Sequence, residues 1–177
     1  MKLSRNMENL GTETAFKVSM EANSLSKTGK KVYPFHLGDI NIETPLLIRN
    51  ATIRYMNDNK NGYCPSEGVM ELRQVLANDI GTKRSIQYNE ENVAIQPGGK
   101  PTIWKFLASI MDKGDEVLYP NPGYPIYESQ IRYQSGVPIP YGYIQDKNGF
   151  VIDIDKLRSS ISENTVAFIY NNYQNPT

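Results

Sequence analysis

From Asn92 onward, short apolar runs alternate with stretches of helical periodicity, and this alternation leaves few folds open to the chain. Val93 to Gln96, Glu116 to Tyr119, Val137 to Tyr143 and Val166 to Tyr170 are runs of strand length. Between them lie an apolar helical stretch with Ile103, Leu107, Ile110 and Met111 on one side, a second helix from Ile126 to Gln134 and a third from Ile154 to Ile161. Strand, helix, strand at this spacing signals βαβ units and a mostly parallel sheet, because parallel neighbours need a crossover long enough to hold a helix. Pro138 and Pro140 remove ladder donors, so the third run is expected at a sheet edge. The last run passes into NNYQNPT and stops at Thr177. In α/β folds, ligands gather at such loops beyond the carboxyl ends of strands, so the sequence reads as cut short.

The first half is less regular. Thr12 to Lys31 is expected as an entry helix, with Ala15, Phe16, Met20, Ala22 and Leu25 along one side and Gly29 as its stop. Val32 to Leu37 is short and apolar, and the following GDINIETP is expected as a loop because Pro45 drives Thr44 toward extended geometry. Asn57 to Gly62 (NDNKNG) is turn material. Ser66 is expected to cap the next helix, with Glu67 in its first turn, Val69, Leu72, Leu76 and Ile80 on one face and Gly81 at its end. DKGDE is a turn and PNPGYP a rigid loop.

Composition removes several classes of function. Of 177 residues, 19 are Lys or Arg and 19 are Asp or Glu, for a formal net charge of +0, which argues against a strongly basic nucleic-acid binder. The 12 tyrosines are not clustered with basic residues, so no single-strand nucleic-acid groove is expected. Cys64 is the only cysteine and His36 the only histidine, so no internal disulfide, cysteine metal cluster or His-rich site is expected, and no metal. No run approaches about 18 apolar residues, so no membrane span is expected. The N-terminal MKLSRNMENLGTETAFKV lacks a secretory pattern, which makes a cytoplasmic location the default expectation.

Three segments carry chemistry. Gly98-Gly99-Lys100-Pro101 stands between a strand candidate and a helix. Glycines let a backbone turn tightly against a ligand, and a helix start favours an anion; a plain strand-to-helix turn explains the same residues equally well. Walker and dinucleotide spacings are both absent. In Tyr119-Pro120-Asn121-Pro122-Gly123-Tyr124-Pro125, three prolines stiffen the loop that holds Tyr124, a ring able to stack on a planar ligand or simply to pack. Asn175-Pro176-Thr177 offers an Asn beyond a strand end, and taken alone it is a turn signal.

Taken together and in order, GYCPSEGVMELRQVLA, ENVAIQPGGKPTIWKFLASIMDKGDEVLYPNPGYPIYES and the terminal NPT resemble the class I/II aminotransferases, fold-type I pyridoxal-phosphate-dependent enzymes. The resemblance implies a three-layer α/β/α fold, the major domain of that family cut short, preceded by an N-terminal helical arm. It implies residues 1–50 as arm and part of a small domain, and 51–177 as the first part of the cofactor-binding large domain. It implies pyridoxal 5'-phosphate as cofactor, an amino acid and a 2-oxo acid as substrates, and a homodimer in the intact protein.

Residue by residue, the resemblance sets Gly99 and Lys100 at the phosphate-cradling turn, whose backbone amides do the binding. Tyr124 is implied to stack on the pyridine ring, Asn175 to bond its phenolic oxygen near the substrate, and Tyr63 to reach the phosphate of the neighbouring subunit. Gly38 aligns with the GEPDFDTP loop beside the substrate carboxylate, where Ile40 and Asn41 replace Pro-Asp. Lys100 does not match the Schiff-base lysine, which the family has well beyond the position of Thr177, so no catalytic residue is expected in this chain and the chain alone is expected to be inactive. A lyase or synthase of the same fold, such as a carbon–sulfur lyase, ranks second, and a non-catalytic binding or dimerising fragment third.

Overall fold

The structure is a computed structural model that describes residues 2–11, 14–38, 40–147 and 149–175. It divides into two compact units: Gly38–Gly98, and Met1–Leu37 together with Gly99–Thr177. The boundary expected at residue 50 falls inside a helix of the first of these.

The larger unit is built around one strand. A short 3-10 helix, Arg5–Asn9, and α1, Thr14–Lys27, precede it in sequence. Helix α4, Gly99–Ile110, leads through a turn into β1, Glu116–Pro120, then α5, Ile126–Tyr133, and β2, Val137–Tyr141. After the hairpin of β3, Tyr143–Asp146, and β4, Gly149–Ile152, come α6, Ile154–Ser159, and β5, Thr165–Phe168. The sheet order is β2-β1-β5, with both pairings parallel. The expected parallel sheet is present, and Pro138 and Pro140 lie on a strand at its edge among the described residues.

Strand β1 is buried along four of its five residues, as a strand covered on both faces must be. Val117 and Tyr119 meet Leu107 and Met111 of the α4 segment and Tyr127 and Ile131 of α5 in one core cluster. The spacing in each partner is four residues, which sets one helical stripe against one face of the strand. Tyr141 is fully buried, and its hydroxyl donates to the Ile169 carbonyl at 2.8 Å, linking the ends of β2 and β5. Tyr119 donates to the Glu128 carboxylate at 3.0 Å, and Arg132 donates to the same carboxylate at 2.9 Å.

Several expectations need correction. The entry helix ends at Lys27 rather than Lys31; Gly29, with φ +83, follows it, and Thr12 and Glu13 lie outside the described residues. The third strand stops at Tyr141, and the hairpin that follows was not expected. The last strand is Thr165–Phe168, and the helix before it ends at Ser159.

The smaller unit holds α2, Leu46–Asn57, which was not expected, and α3, Met70–Arg84. Ser66 does not cap α3: Pro65 to Gly68 forms a turn instead, with Gly68 N donating to Pro65 O at 2.9 Å, and Val69 takes the cap position. Gly81 does not end α3 but is buried within it. The chain folds back so that Ile86 N donates to Gly81 O at 3.0 Å, and a Cβ there would stand 2.7 Å from the Ile86 carbonyl oxygen. Ser85, at φ 55, makes the actual stop. Val93 to Gln96 is extended but joins no ladder among the described residues, because the Ile95 amide donates to Glu67 O instead. The Arg73 guanidinium donates to the Glu90 and Val93 carbonyls at 2.7–3.0 Å and holds this segment on α3.

Two outcomes follow for stability. A Cβ at Gly123 would collide with the Pro120 carbonyl oxygen, whereas one at Gly142 meets only the far end of Lys156 at 3.9 Å. Gly123→Ala is therefore expected to lower the urea midpoint by the equivalent of about 2 kcal/mol, and Gly142→Ala by less than about 0.5 kcal/mol; equal effects would contradict this packing. Burial first, then the Glu128 bond, push the Tyr119 phenol up to about 12, and burial also raises Tyr141. Both groups hold their protons more tightly folded than unfolded, so their contribution is complete below the ordinary phenol value of 10.0 and declines as pH rises toward about 12. Urea midpoints measured across this range are expected to fall, and Tyr119→Phe to make the fall shallower.

Candidate functional site

Strands β1 and β5 are parallel neighbours, so the loops after them leave the same end of the sheet. The loop after β1 carries Tyr124, and the loop after β5 carries Asn175. Tyr124 is half-buried against the core cluster and meets Tyr127 edge-on, with ring centroids 5.8 Å apart at 88°. A tyrosine held edge-on from below keeps its orientation without a hydrogen bond. The Gln174 carboxamide donates to the Pro122 carbonyl at 2.9 Å and so ties the Asn175 loop to the Tyr124 loop. The Asn171 carboxamide, oriented with its oxygen toward Asn175 N at 3.0 Å and its nitrogen toward Tyr173 O at 3.3 Å, braces the same turn. Asn175 itself is exposed, while Pro176 and Thr177 lie outside the described residues.

Helix α4 leads through the turn at 111–115 into β1, and its Leu107, with Met111 just beyond it, packs in one cluster with Val117 and Tyr119, which sets the helix back along the strand. Ile103, one turn into α4, and Tyr124 pack against the same cluster. Gly98 has φ +105, a conformation side-chain-bearing residues rarely adopt, and Gly99 is the first helical residue. A Cβ at either position would meet nothing within 4 Å. The result is an exposed glycine turn at the positive end of a 12-residue helix with no acidic residue in its first turn. A turn of this kind suits a phosphate group. The Lys100 ammonium lies 6.0 Å from the Phe16 ring centroid, over α1, and its carbonyl accepts from Gln130 at 3.0 Å.

Gly99, Lys100, Tyr124 and Asn175 thus belong to one compact unit, the first two at a helix start and the others on loops after β1 and β5. Gly38 and Tyr63 belong to the other unit. Space around Gly38 is open, and the Tyr63 side chain is fully exposed. Gln130, Asn171 and Gln174, which hold the site's backbone in place, were missed in the sequence, since a lone amide on a helix or loop carries no spacing signal. Among the described residues, no helix is long and apolar enough to cross a membrane.

The family model for aminotransferase class I and II matches residues 31–177. The "Probable aspartate/prephenate aminotransferase" of Aquifex aeolicus is 30% identical over 99% of this chain and 44% of its own length. The aspartate aminotransferase of Bacillus subtilis is 29% identical over 100% of this chain and 45% of its own length. Among solved structures, an alanine aminotransferase from Pyrococcus furiosus superposes with a TM-score of 0.92 at 26% identity, covering 99% of this chain and 45% of that one. The chain therefore spans a little under half the length of the relatives it matches. On the family match and the shared α/β fold, this chain belongs to the class I and II aminotransferases.

Proposed function

We propose that this chain supplies the phosphate- and ring-holding part of a pyridoxal-phosphate-dependent aminotransferase that moves an amino group from an amino acid to a 2-oxo acid. The observation that carries the reading is the exposed Gly98-Gly99 turn at the head of α4, inside a chain matched to the family over residues 31–177. When bound, pyridoxal phosphate supplies an electron sink at the amino-bearing carbon.

The chain's own residues have distinct jobs. Backbone amides at Gly99 and Lys100, with the helix dipole behind them, hold the phosphate. The Tyr124 ring would stack on the pyridine, kept in place by its edge-on contact with Tyr127. Asn175 would donate its side-chain N–H to the ring's phenolic oxygen, beside the substrate. The exposed Tyr63 would reach a phosphate held by a second copy in a homodimer. Gly38 leaves room for the substrate carboxylate. Aspartate, alanine and prephenate appear in the names of the relatives, and an amino acid paired with a 2-oxo acid is the substrate class they share.

The test uses pyridoxamine 5'-phosphate, which lacks the aldehyde that would react with surface lysines. Trp104 lies on α4 and provides a fluorescence signal. The chain is expected to bind this probe, to release it to excess inorganic phosphate, and to lose affinity about tenfold on Tyr124→Ala. Binding indifferent to both inorganic phosphate and Tyr124→Ala would refute the proposal. A coupled assay is expected to detect no amino transfer by the 177-residue chain alone, and turnover would refute the assignment of the catalytic lysine to another stretch of sequence.

A further inference from the structure

Helices α4 and α5 meet through two polar contacts of matching period. Gln130 Nε2 donates to the Lys100 carbonyl at 3.0 Å, and Gln134 Nε2 donates to the Trp104 carbonyl at 3.3 Å. The donors are four residues apart along the α5 segment, and the acceptors four residues apart on α4. Four residues is about one helical turn, so one turn of side chains is keyed to one turn of backbone. The apolar contacts of Ile131 and Tyr127 with Leu107 hold the helices together but are non-directional and leave their axial register free. The amides remove that freedom, because a slide along the axis breaks both hydrogen bonds.

The Gln130 side chain has a second feature. Its Oε1 atom is buried with no hydrogen-bond partner, while its Nε2 is engaged. An unmet buried acceptor is a net cost, and an apolar side chain of similar size would fill the space without it. The position therefore makes sense through its donor, and that donor acts on the second residue of α4, beside the exposed turn at Gly98-Gly99. Helix α5, which carries Gln130, also has the ring site at its head: Tyr127 N donates to the Tyr124 carbonyl at 3.2 Å.

We infer that Gln130, with Gln134 as second anchor, is a positioning residue that fixes where the backbone of Gly99 and Lys100 stands relative to Tyr124, and so sets the distance between the phosphate and ring halves of the site. The inference rests on the phosphate reading proposed above and adds a residue that touches neither half of the ligand. Its physical content is that a phosphate and a ring joined in one molecule bind well only if both subsites are held at the right separation.

The test compares the wild-type chain with Gln130→Leu, which removes the donor and keeps the bulk, and Gln130→Glu, which keeps the shape and replaces the donor with an acceptor. Two readouts are taken. Amide hydrogen exchange at Ile103 and Trp104, the first α4 amides with an intrahelical acceptor, is expected to speed up about tenfold in both variants, with β1 and α5 amides unchanged. Affinity for pyridoxamine 5'-phosphate is expected to fall about tenfold, while affinity for pyridoxamine, which lacks the phosphate, stays within about twofold. Unchanged exchange at the α4 head, or equal losses for both ligands, would overturn the inference. If Gln130→Leu does not fold, Gln130→Glu decides by the same criteria. A wild-type chain that binds both ligands equally well would overturn the phosphate reading, and the exchange measurement then judges the clamp alone.

Discussion

The burial of one strand organises everything else. Val117 and Tyr119, on one face of β1, are closed over by Leu107 and Met111 together with Tyr127 and Ile131. This packing sets α4 back along the strand into which it leads. A fully buried aliphatic or aromatic side chain contributes roughly 1.5–3 kcal/mol, so six such residues dominate over any single polar contact nearby. The placement of Gly99 and Tyr124 in one compact unit is a consequence of this core rather than of direct interaction between them.

Polar contacts then refine what apolar packing leaves loose. Gln174 ties the loop after β5 to the loop after β1, and the Tyr141 hydroxyl joins the end of β2 to Ile169. Each reaches between neighbouring segments at the carboxyl end of the sheet. The Tyr119–Glu128–Arg132 chain lies below them, and burial there favours the protonated phenol as hydrogen-bond donor. Loops made rigid in this way present Tyr124 and Asn175 at fixed places, which suits a flat, anionic ligand that must be bound in one orientation.

Much of this was legible in the sequence because it depends on periodicity. The alternation after Asn92 gave the βαβ course, and Pro138 and Pro140 marked the edge strand. What was not legible depends on long-range partners. Val93 to Gln96 has the composition of a strand, but a strand also needs a neighbour to pair with, and Glu67 takes up the Ile95 amide instead. Gly81 looks like a helix stop until the returning chain at Ile86 shows why only glycine fits there. Helix α2 begins after Pro45 with no side-chain cap, so it had no start signal to read. In the site itself, the glycines and Tyr124 stood out by motif, while Gln130 and Gln174 act through geometry that no spacing encodes.

The central claim is that the amides around Gly99 and the ring of Tyr124 serve one ligand in one hollow. Backbone amide chemical shifts, followed while pyridoxamine 5'-phosphate is added to the isotopically labelled chain, test it directly. The account predicts that Gly99, Lys100 and Tyr124 shift together and saturate along one binding curve. Shifts at Gly99 without Tyr124, or two separate curves for the two places, would contradict it.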